Sequence, residues 1–401
     1  MTFSFYNPVR LYFGAGEFAR AGREAKKLGR KALLVSYRHP TRIQWIVQKV
    51  EEMLSAENVE FVDFYQILPN PELGQIEQAA DLCRSSGIDF LIGVGGGSVM
   101  DSTKAIAAAA VYEGELWDMF VSSNDGSTKH VPPTRALPLM LIPTVPATSS
   151  EMNSAAVITN KNTNVKGFVF NEVLYPKLSI VDPQLTVSLP AYLTACGAID
   201  AISHNFEPYF NSTQEYPVHF GLEESLVSTI MDLLPQVLRD PENVELRGQL
   251  QWAVLVSHNG WAKTGVAYFS ALHMLGHPLS SRFGLHHGAA MGIVIPAWME
   301  YVVESRLDKF VCFAQEIMGV DNLGKEEKLI AEEGIERFRS FISGTGVPTS
   351  MSMYREQNIT EADLSLLTED ALRLGADDNG KIKGNPVLSG DDVLKIYQIA
   401  Y

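Results

Sequence analysis

"FLIGVGGGSVMDSTKAIAAAAVY", residues 90–112, reads as an apolar run, three consecutive glycines and an Ala-rich stretch. The run "FLIGVGGG" (90–97) has the length and composition of a buried strand, and "SVMDSTKAIAAAAVY" (98–112) has strong helix formers behind a Ser at the expected N-cap. A strand that turns through glycines into a helix gathers backbone N–H groups and the positive end of a helix dipole at one point, where a phosphate is stabilised. At Gly95, Gly96 and Gly97 no Cβ obstructs close backbone approach. The dinucleotide fingerprint is matched only in part: Gly93 and Gly95 fill its first two positions, and Ser98 stands where the third glycine belongs. A tight turn that binds nothing is the competing reading.

Outward from this turn the pattern repeats. Candidate strands are "KALLVSY" (31–37), "VEFVDFY" (59–65) and "LPLMLIPT" (137–144), with helical periodicity at 41–55 and 73–87. Alternating strands and helices imply an open parallel sheet with crossover helices, a Rossmann-like α/β domain. After the first of these strands, "SYRHPT" offers Arg38 and His39 and no carboxylate for the ribose hydroxyls. Arg38 there favours a 2′-phosphate, hence NADP(H) over NAD(H), against the plainer reading of an exposed loop Arg. Beyond "LSIVDPQLTVSLP" (178–190) the β-pattern fades at Asp182-Pro183 and Pro190. The expected domains are 1–185, α/β and dinucleotide-binding, and 186–401, all-α. Helices are expected around 191–210, 220–237, 246–277, 288–304 and 325–344.

The composition narrows the function. The 401 residues carry a formal net charge of -15, which disfavours an electrostatic grip on nucleic acid or an anionic membrane. Three separated cysteines, Cys83, Cys196 and Cys312, make no CxxC pair and suit a reducing compartment. No basic segment leads into an apolar one at the N-terminus, and no apolar run approaches the ~20 residues of a membrane helix. A cytoplasmic enzyme acting on small molecules is the expectation.

Histidines are concentrated in "ALHMLGHPLSSRFGLHHG" (271–288), which holds four of the nine. His273 and His277 are four apart, as are Asp200 and His204 in "GAIDAISHNFEPYF" (197–210), so each pair projects from one helix face. Gly284 suggests a turn that returns His287 toward His273. A carboxylate with imidazoles suits Fe(II), Zn(II), Mn(II) or Co(II), and the absence of a nearby Cys disfavours a structural zinc site. Spacing alone leaves open which of His273, His277, His286 and His287 bind. His219 and His258 read as packing residues, His39 and His130 as loop residues.

Four motifs, "GGGSVMDSTKAIA" (95–107), "PTVPATSSEMN" (143–153), "GAIDAISHNFEPYF" and "HMLGHPLSSRFGLHHG" (273–288), resemble in order and spacing the iron-containing (group III) alcohol dehydrogenases. The "PTVPATSSE" form is most similar to their butanol dehydrogenase and NADPH-dependent aldehyde reductase branch. The resemblance implies a dehydroquinate synthase-like architecture and often a dimer or larger homo-oligomer. It implies metal ligands Asp200, His204, His273 and His287, holding Fe2+ with Zn2+ as the alternative, and His277 as a non-ligand beside substrate and nicotinamide; its place one helical turn from a presumed ligand makes His277 the candidate proton relay. It sets Gly97, Ser98, Asp101, Asn70, Thr144, Thr148, Asn153 and Lys166 near the dinucleotide. Two departures stand out: the family often has Gly at the position of Ser149 or Ser150, and the aldehyde reductases have a Gly-rich loop where this chain has "YRHPT". The implied reaction is hydride transfer between NAD(P)(H) and a small primary alcohol or aldehyde. The rivals are a metal- and NAD-dependent lyase of the dehydroquinate synthase type, a metallohydrolase with Glu207 as base, and a non-catalytic metal binder.

Overall fold

The computed structural model describes residues 2–121, 130–163, 165–354 and 359–401. By internal packing the chain divides into two compact units, Tyr6–Leu189 with Pro241–Leu255, and Met1–Phe5 with Pro190–Asp240 and Val256–Tyr401.

The first unit is built in the order β1 (Arg10–Phe13), α1 (Ala21–Ala25), β2 (Lys31–Tyr37), α2 (Gln44–Ala56), β3 (Glu60–Ile67), α3 (Leu73–Ser86), β4 (Phe90–Gly95), α4 (Gly97–Ala109), β5 (Leu139–Pro143), β6 (Ala155–Asn160), β7 (Val165–Phe170) and β8 (Leu178–Val181). Six strands form one sheet in the order β1-β8-β5-β4-β2-β3, and every pair in it is parallel. Leu33 and Val35 of β2 join a core with residues of α3 and α4, while Ala32 and Leu34 join the opposite core with residues of α1 and α2. Both faces are therefore covered, which is why these strands read as unbroken apolar runs. The punctuation is local: Glu72 and Gln75 form a capping box that starts α3, and Gly87 at φ 65° stops it.

From β2 the chain moves outward to β3, then returns past β2 to β4 and continues to β5. The direction of winding reverses between β2 and β4, the place where open α/β sheets bind ligands at their strand C-termini. The antiparallel β6–β7 hairpin was not expected. In β7 the alternation is interrupted by Gly167, where a Cβ would lie 2.6 Å from Trp117, so packing has removed the side chain that would have marked the strand.

The remaining helices are α5 (Ala191–Asn211), α6 (Pro217–Arg239), α7 (Val244–His258), α8 (Ala271–Phe283), α9 (His287–Val302), α10 (Leu307–Glu316), α11 (Glu327–Gly344), α12 (Asp363–Gly375) and α13 (Gly390–Ala400). The single helix expected over 246–277 is instead α7 and α8, separated by turns. Asn259 Oδ1 accepts the Trp261 N–H at 2.9 Å, and Gly260 and Gly265 take φ of 93° and 75°, values that interrupt a helix. The helices α10, α12 and α13 were also missed. Phe206 and Phe210 of α5 pack edge-to-face on Phe313 of α10 at 5.6 and 5.7 Å, and Phe206 meets Phe338 of α11 at 5.2 Å. Such packing buries α5 on nearly every side, and with it Asp200 and Glu207. Among the described residues no helix is long and apolar enough to cross a membrane.

Candidate metal centre and dinucleotide site

Asp200 and His204 lie one turn apart on α5, and His273 is the third residue of α8. One ligand atom from each lies within 4.8 Å of the others. His287 opens α9, its Nε2 3.5 Å from Asp200 Oδ1 and its ring 5.3 Å from that of His273. Gly284, at φ 69°, ends α8 and reverses the chain. The return is held by a close helix crossing: a Cβ on Gly288 would stand 1.8 Å from the Cys196 carbonyl oxygen, so only bare backbone lets α9 approach α5 at the level of Asp200.

The donor chemistry fits a divalent ion. His273 Nδ1 is 2.8 Å from Glu207 Oε1 and donates to it, which leaves the other ring nitrogen as an acceptor. That Nε2 is buried without a hydrogen-bond partner, a lone pair facing the Asp200 and His204 donors. Burial, followed by His258, His273, Lys263 and His287, holds the His204 imidazole well below its usual pKa, in the neutral form a metal requires. Glu207 is fully committed, because Oε1 also accepts the His273 backbone N–H at 2.9 Å and Oε2 accepts from Asn211 at 3.3 Å. It is therefore no free base for hydrolysis.

The other histidines separate by place. The ring of His277 is half-buried and stacks on His287 at 4.9 Å, while His286 is exposed with Tyr192 5.9 Å away. His219 packs on Tyr216, and His39 and His130 are exposed. His258, read from sequence as packing, stacks on His204 with centroids 3.9 Å apart and planes 11° apart, and its Nδ1 is 2.7 Å from Lys263 Nζ. Burial brings the Lys263 pKa down to about 8, opposed by Glu207, Glu223 and Asp200. From sequence Glu207 entered only as the base of a rival metallohydrolase, and its role in holding His273 was not expected; Lys263 escaped the sequence reading altogether, since nothing local marks it.

In the sheet unit the candidate dinucleotide residues are contiguous. The paired register Val35 to Gly93 sets Tyr37 and Arg38 at the end of β2 beside Gly95–Gly97 at the end of β4. Tyr37 Oη accepts the Gly96 N–H at 3.1 Å, and the next N–H groups, those of Gly97 and Ser98, open α4 ahead of its first backbone bond, from the Val99 N–H to the Gly96 carbonyl at 3.0 Å. The glycines also serve packing: a Cβ would come within 2.6 Å of Val99 at Gly95 and 2.8 Å of Thr148 at Gly97. Ser98 Oγ donates to the Pro69 carbonyl, next to Asn70, whose Oδ1 is 3.5 Å from Lys166 Nζ. Thr144 donates its N–H to Gly95 at 3.0 Å, and its buried hydroxyl has no hydrogen-bond partner.

Behind this surface lies a polar scaffold. Lys104, fully buried, donates to Asn153 Oδ1 and the Ala155 carbonyl, both at 2.9 Å, and Asn153 Nδ2 donates to the Thr148 carbonyl at 3.1 Å. Asp101 accepts from Ser150 Oγ at 2.6 Å and from the Val157 N–H at 3.0 Å, so both of its oxygens brace the β5–β6 connection. Ser149 takes φ 51°, a conformation glycine adopts without strain. Its hydroxyl donates to the Val254 carbonyl at 2.8 Å, a bond that offsets the strain and accounts for a side chain at this position.

Comparison with known proteins agrees with both halves. The profile of iron-containing alcohol dehydrogenases matches residues 8–183, and that of the C-terminal domain of the Fe-containing alcohol dehydrogenase family matches 194–401. The chain belongs to the iron-containing alcohol dehydrogenase family. It is 34% identical to a probable NADH-dependent butanol dehydrogenase of Bacillus subtilis over 98% of each chain. It is 31% identical to the NADPH-dependent aldehyde reductase YqhD of Escherichia coli over 88% of this chain and 89% of that one. The crystal structure of an NADH-dependent butanol dehydrogenase A from Thermotoga maritima superposes with TM-score 0.91 at 32% identity, covering 100% of this chain and 98% of the other. The protein is thus an NAD(P)-dependent oxidoreductase of the alcohol dehydrogenase and aldehyde reductase type, on the expected α/β plus helical architecture.

Proposed function

We propose that the protein interconverts small primary alcohols and aldehydes, with Asp200, His204, His273 and His287 holding a divalent ion, iron first and zinc second. When bound, the ion supplies Lewis-acid stabilisation of negative charge on the substrate oxygen, and the nicotinamide supplies or accepts the hydride. Residues 1–185 bind the dinucleotide, with Gly95, Gly96, Gly97 and Ser98 at the pyrophosphate and Asn70, Asp101, Thr144, Thr148, Asn153 and Lys166 around it. Residues 186–401 hold the ion and the substrate oxygen. His277 moves the alcohol proton: in aldehyde reduction it delivers a proton to the oxygen as the carbon gains hydride, and in oxidation it removes one.

The observation that carries this reading is the divided ring of His273, with Nδ1 spent on Glu207 and Nε2 buried without a partner among carboxylate and imidazole donors. For the cofactor we favour NADP(H), on Arg38 at the end of β2, while the relatives named above include both NADH- and NADPH-dependent enzymes. A cytoplasmic homodimer or larger assembly completes the proposal. The test is protein purified without chelator, assayed for metal and then for absorbance loss at the nicotinamide band with butanal and NADPH or NADH. Metal-dependent turnover that a chelator abolishes and Fe2+ or Zn2+ restores is expected. Metal-loaded protein that oxidises neither nucleotide would end the proposal.

A further inference from the structure

The Lys263 ammonium has more donors than acceptors. Nζ makes one hydrogen bond, to His258 Nδ1 at 2.7 Å, and lies 5.6 Å from the centre of the Tyr268 ring. Among the described residues no carboxylate comes within ion-pair distance of it. An ammonium has three N–H groups, so two are unspent.

None of the neighbouring acids bonds to it directly. Glu207 is occupied by His273, and Asp200 belongs to the metal-ligand cluster. Glu223 is buried with neither oxygen hydrogen-bonded, and burial pushes its carboxyl up to about 9, so at neutral pH it is protonated. Burial makes the ammonium costly, Glu207, Glu223 and Asp200 oppose that cost only from beyond hydrogen-bond reach, and a direct charge-assisted bond to an incoming anion offsets what remains. Lys263 is only partly buried, and it stands one imidazole away from the cluster, because the His258 ring it holds is stacked on His204 at 3.9 Å.

We propose that Lys263 is a specificity-determining residue that receives a carboxylate carried by the substrate at the end remote from the reacting carbon. The substrate class is then an aldehyde or alcohol bearing an acid group on a short chain. This rests on the hydride-transfer reading for the other end of the molecule. The alternative role for Lys263, fixing the tautomer of His258 and nothing more, affects acidic and neutral substrates alike.

The test compares 4-oxobutanoate with butanal, two four-carbon aldehydes in which a carboxylate replaces a methyl group, on metal-loaded wild type, Lys263→Met and Lys263→Arg. The ratio of kcat/KM for the acid over the neutral aldehyde is expected to fall about tenfold or more in Lys263→Met, as for loss of a hydrogen bond to a charged group. In Lys263→Arg it should stay within about threefold of wild type, since the charge and donors remain. A ratio unchanged in Lys263→Met overturns the proposal. A second measurement needs no turnover: succinate binding to the metal-loaded protein, by calorimetry, should weaken about tenfold in Lys263→Met, and equal binding overturns the proposal. Lys263-dependent succinate binding in a protein that oxidises no nucleotide would keep the anion site and remove the hydride reading. Turnover of both aldehydes with an unchanged ratio would do the reverse.

Discussion

Glu207 Oε1 accepts two hydrogen bonds from His273, one from its backbone N–H at 2.9 Å and one from its ring Nδ1 at 2.8 Å. His273 is the third residue of α8, where a backbone N–H has no intrahelical acceptor, and Ser270 at the N-cap supplies no side-chain bond. One carboxylate oxygen from α5 therefore caps a helix and aims a ligand ring in a single contact. Partners of this kind typically control metal affinity by 10–100-fold. Glu207→Gln keeps the shape and loses the charge, so metal affinity measured by chelator competition with Co2+ or Zn2+ should fall by about that factor. Affinity equal to wild type would show that the contact only caps the helix.

The adjacent histidines at the start of α9 should behave differently. His287 Nε2 is 3.5 Å from Asp200 Oδ1, whereas His286 is exposed beside Tyr192. Metal content after dialysis should drop to a small fraction of wild type in His287→Ala and stay near stoichiometric in His286→Ala. Equal losses would mean that the assignment within this pair is wrong.

Glu151 gives a pH dependence separable from the metal. Burial pushes its carboxyl up to about 7 from an ordinary 4.5, with Lys104 pulling the other way. Between those values the folded state binds a proton that the unfolded chain has released. Stability is therefore greatest below about 4.5 as far as this group is concerned, and it declines as pH rises through about 7. Glu151→Gln removes the titrating group, so its urea midpoint should rise relative to wild type on going from pH 5 to pH 8. A midpoint difference independent of pH would contradict the assignment.

Arg38 should set the nucleotide preference. Its exposed side chain follows β2 at the switch point, where a guanidinium pairs with a 2′-phosphate and gains nothing from the 2′-hydroxyl of NAD(H). Arg38→Ala should raise KM for NADPH about tenfold or more and leave KM for NADH within about twofold, consistent with loss of a charge-assisted contact. Parallel changes for both nucleotides would assign the preference elsewhere.

The sheet unit was largely legible because its signals are local. Apolar runs, an Ala-rich helix and the Gly95–Gly97 turn each declare themselves within a dozen residues, but α4 is capped by Gly96 and not by the expected Ser98, whose hydroxyl goes to the Pro69 carbonyl. What stayed hidden depends on partners distant in sequence. Gly167 conceals a strand because Trp117 occupies the space of its side chain, and the division of α7 from α8 depends on the backbone angles of Gly260 and Gly265 inside a continuous apolar pattern. In the helical unit, spacing brought Asp200 to His204 and His273 to His277, yet the resemblance had to choose among the histidines. The roles of Glu207, His258 and Lys263 emerged only once α5 and α8 were packed, since each acts on a ligand from another turn or another helix.

The bare Cα of Gly288 against the Cys196 carbonyl has a consequence for redesign. The donors at 200 and 287 are brought together by a backbone-to-backbone distance, which exchange of a donor side chain leaves untouched. Substituting ligands to retune metal preference would thus work within a fixed frame. A single methyl group at residue 288 would move the frame itself, and a search for altered metallochemistry should treat that position as part of the coordination geometry although it supplies no donor atom.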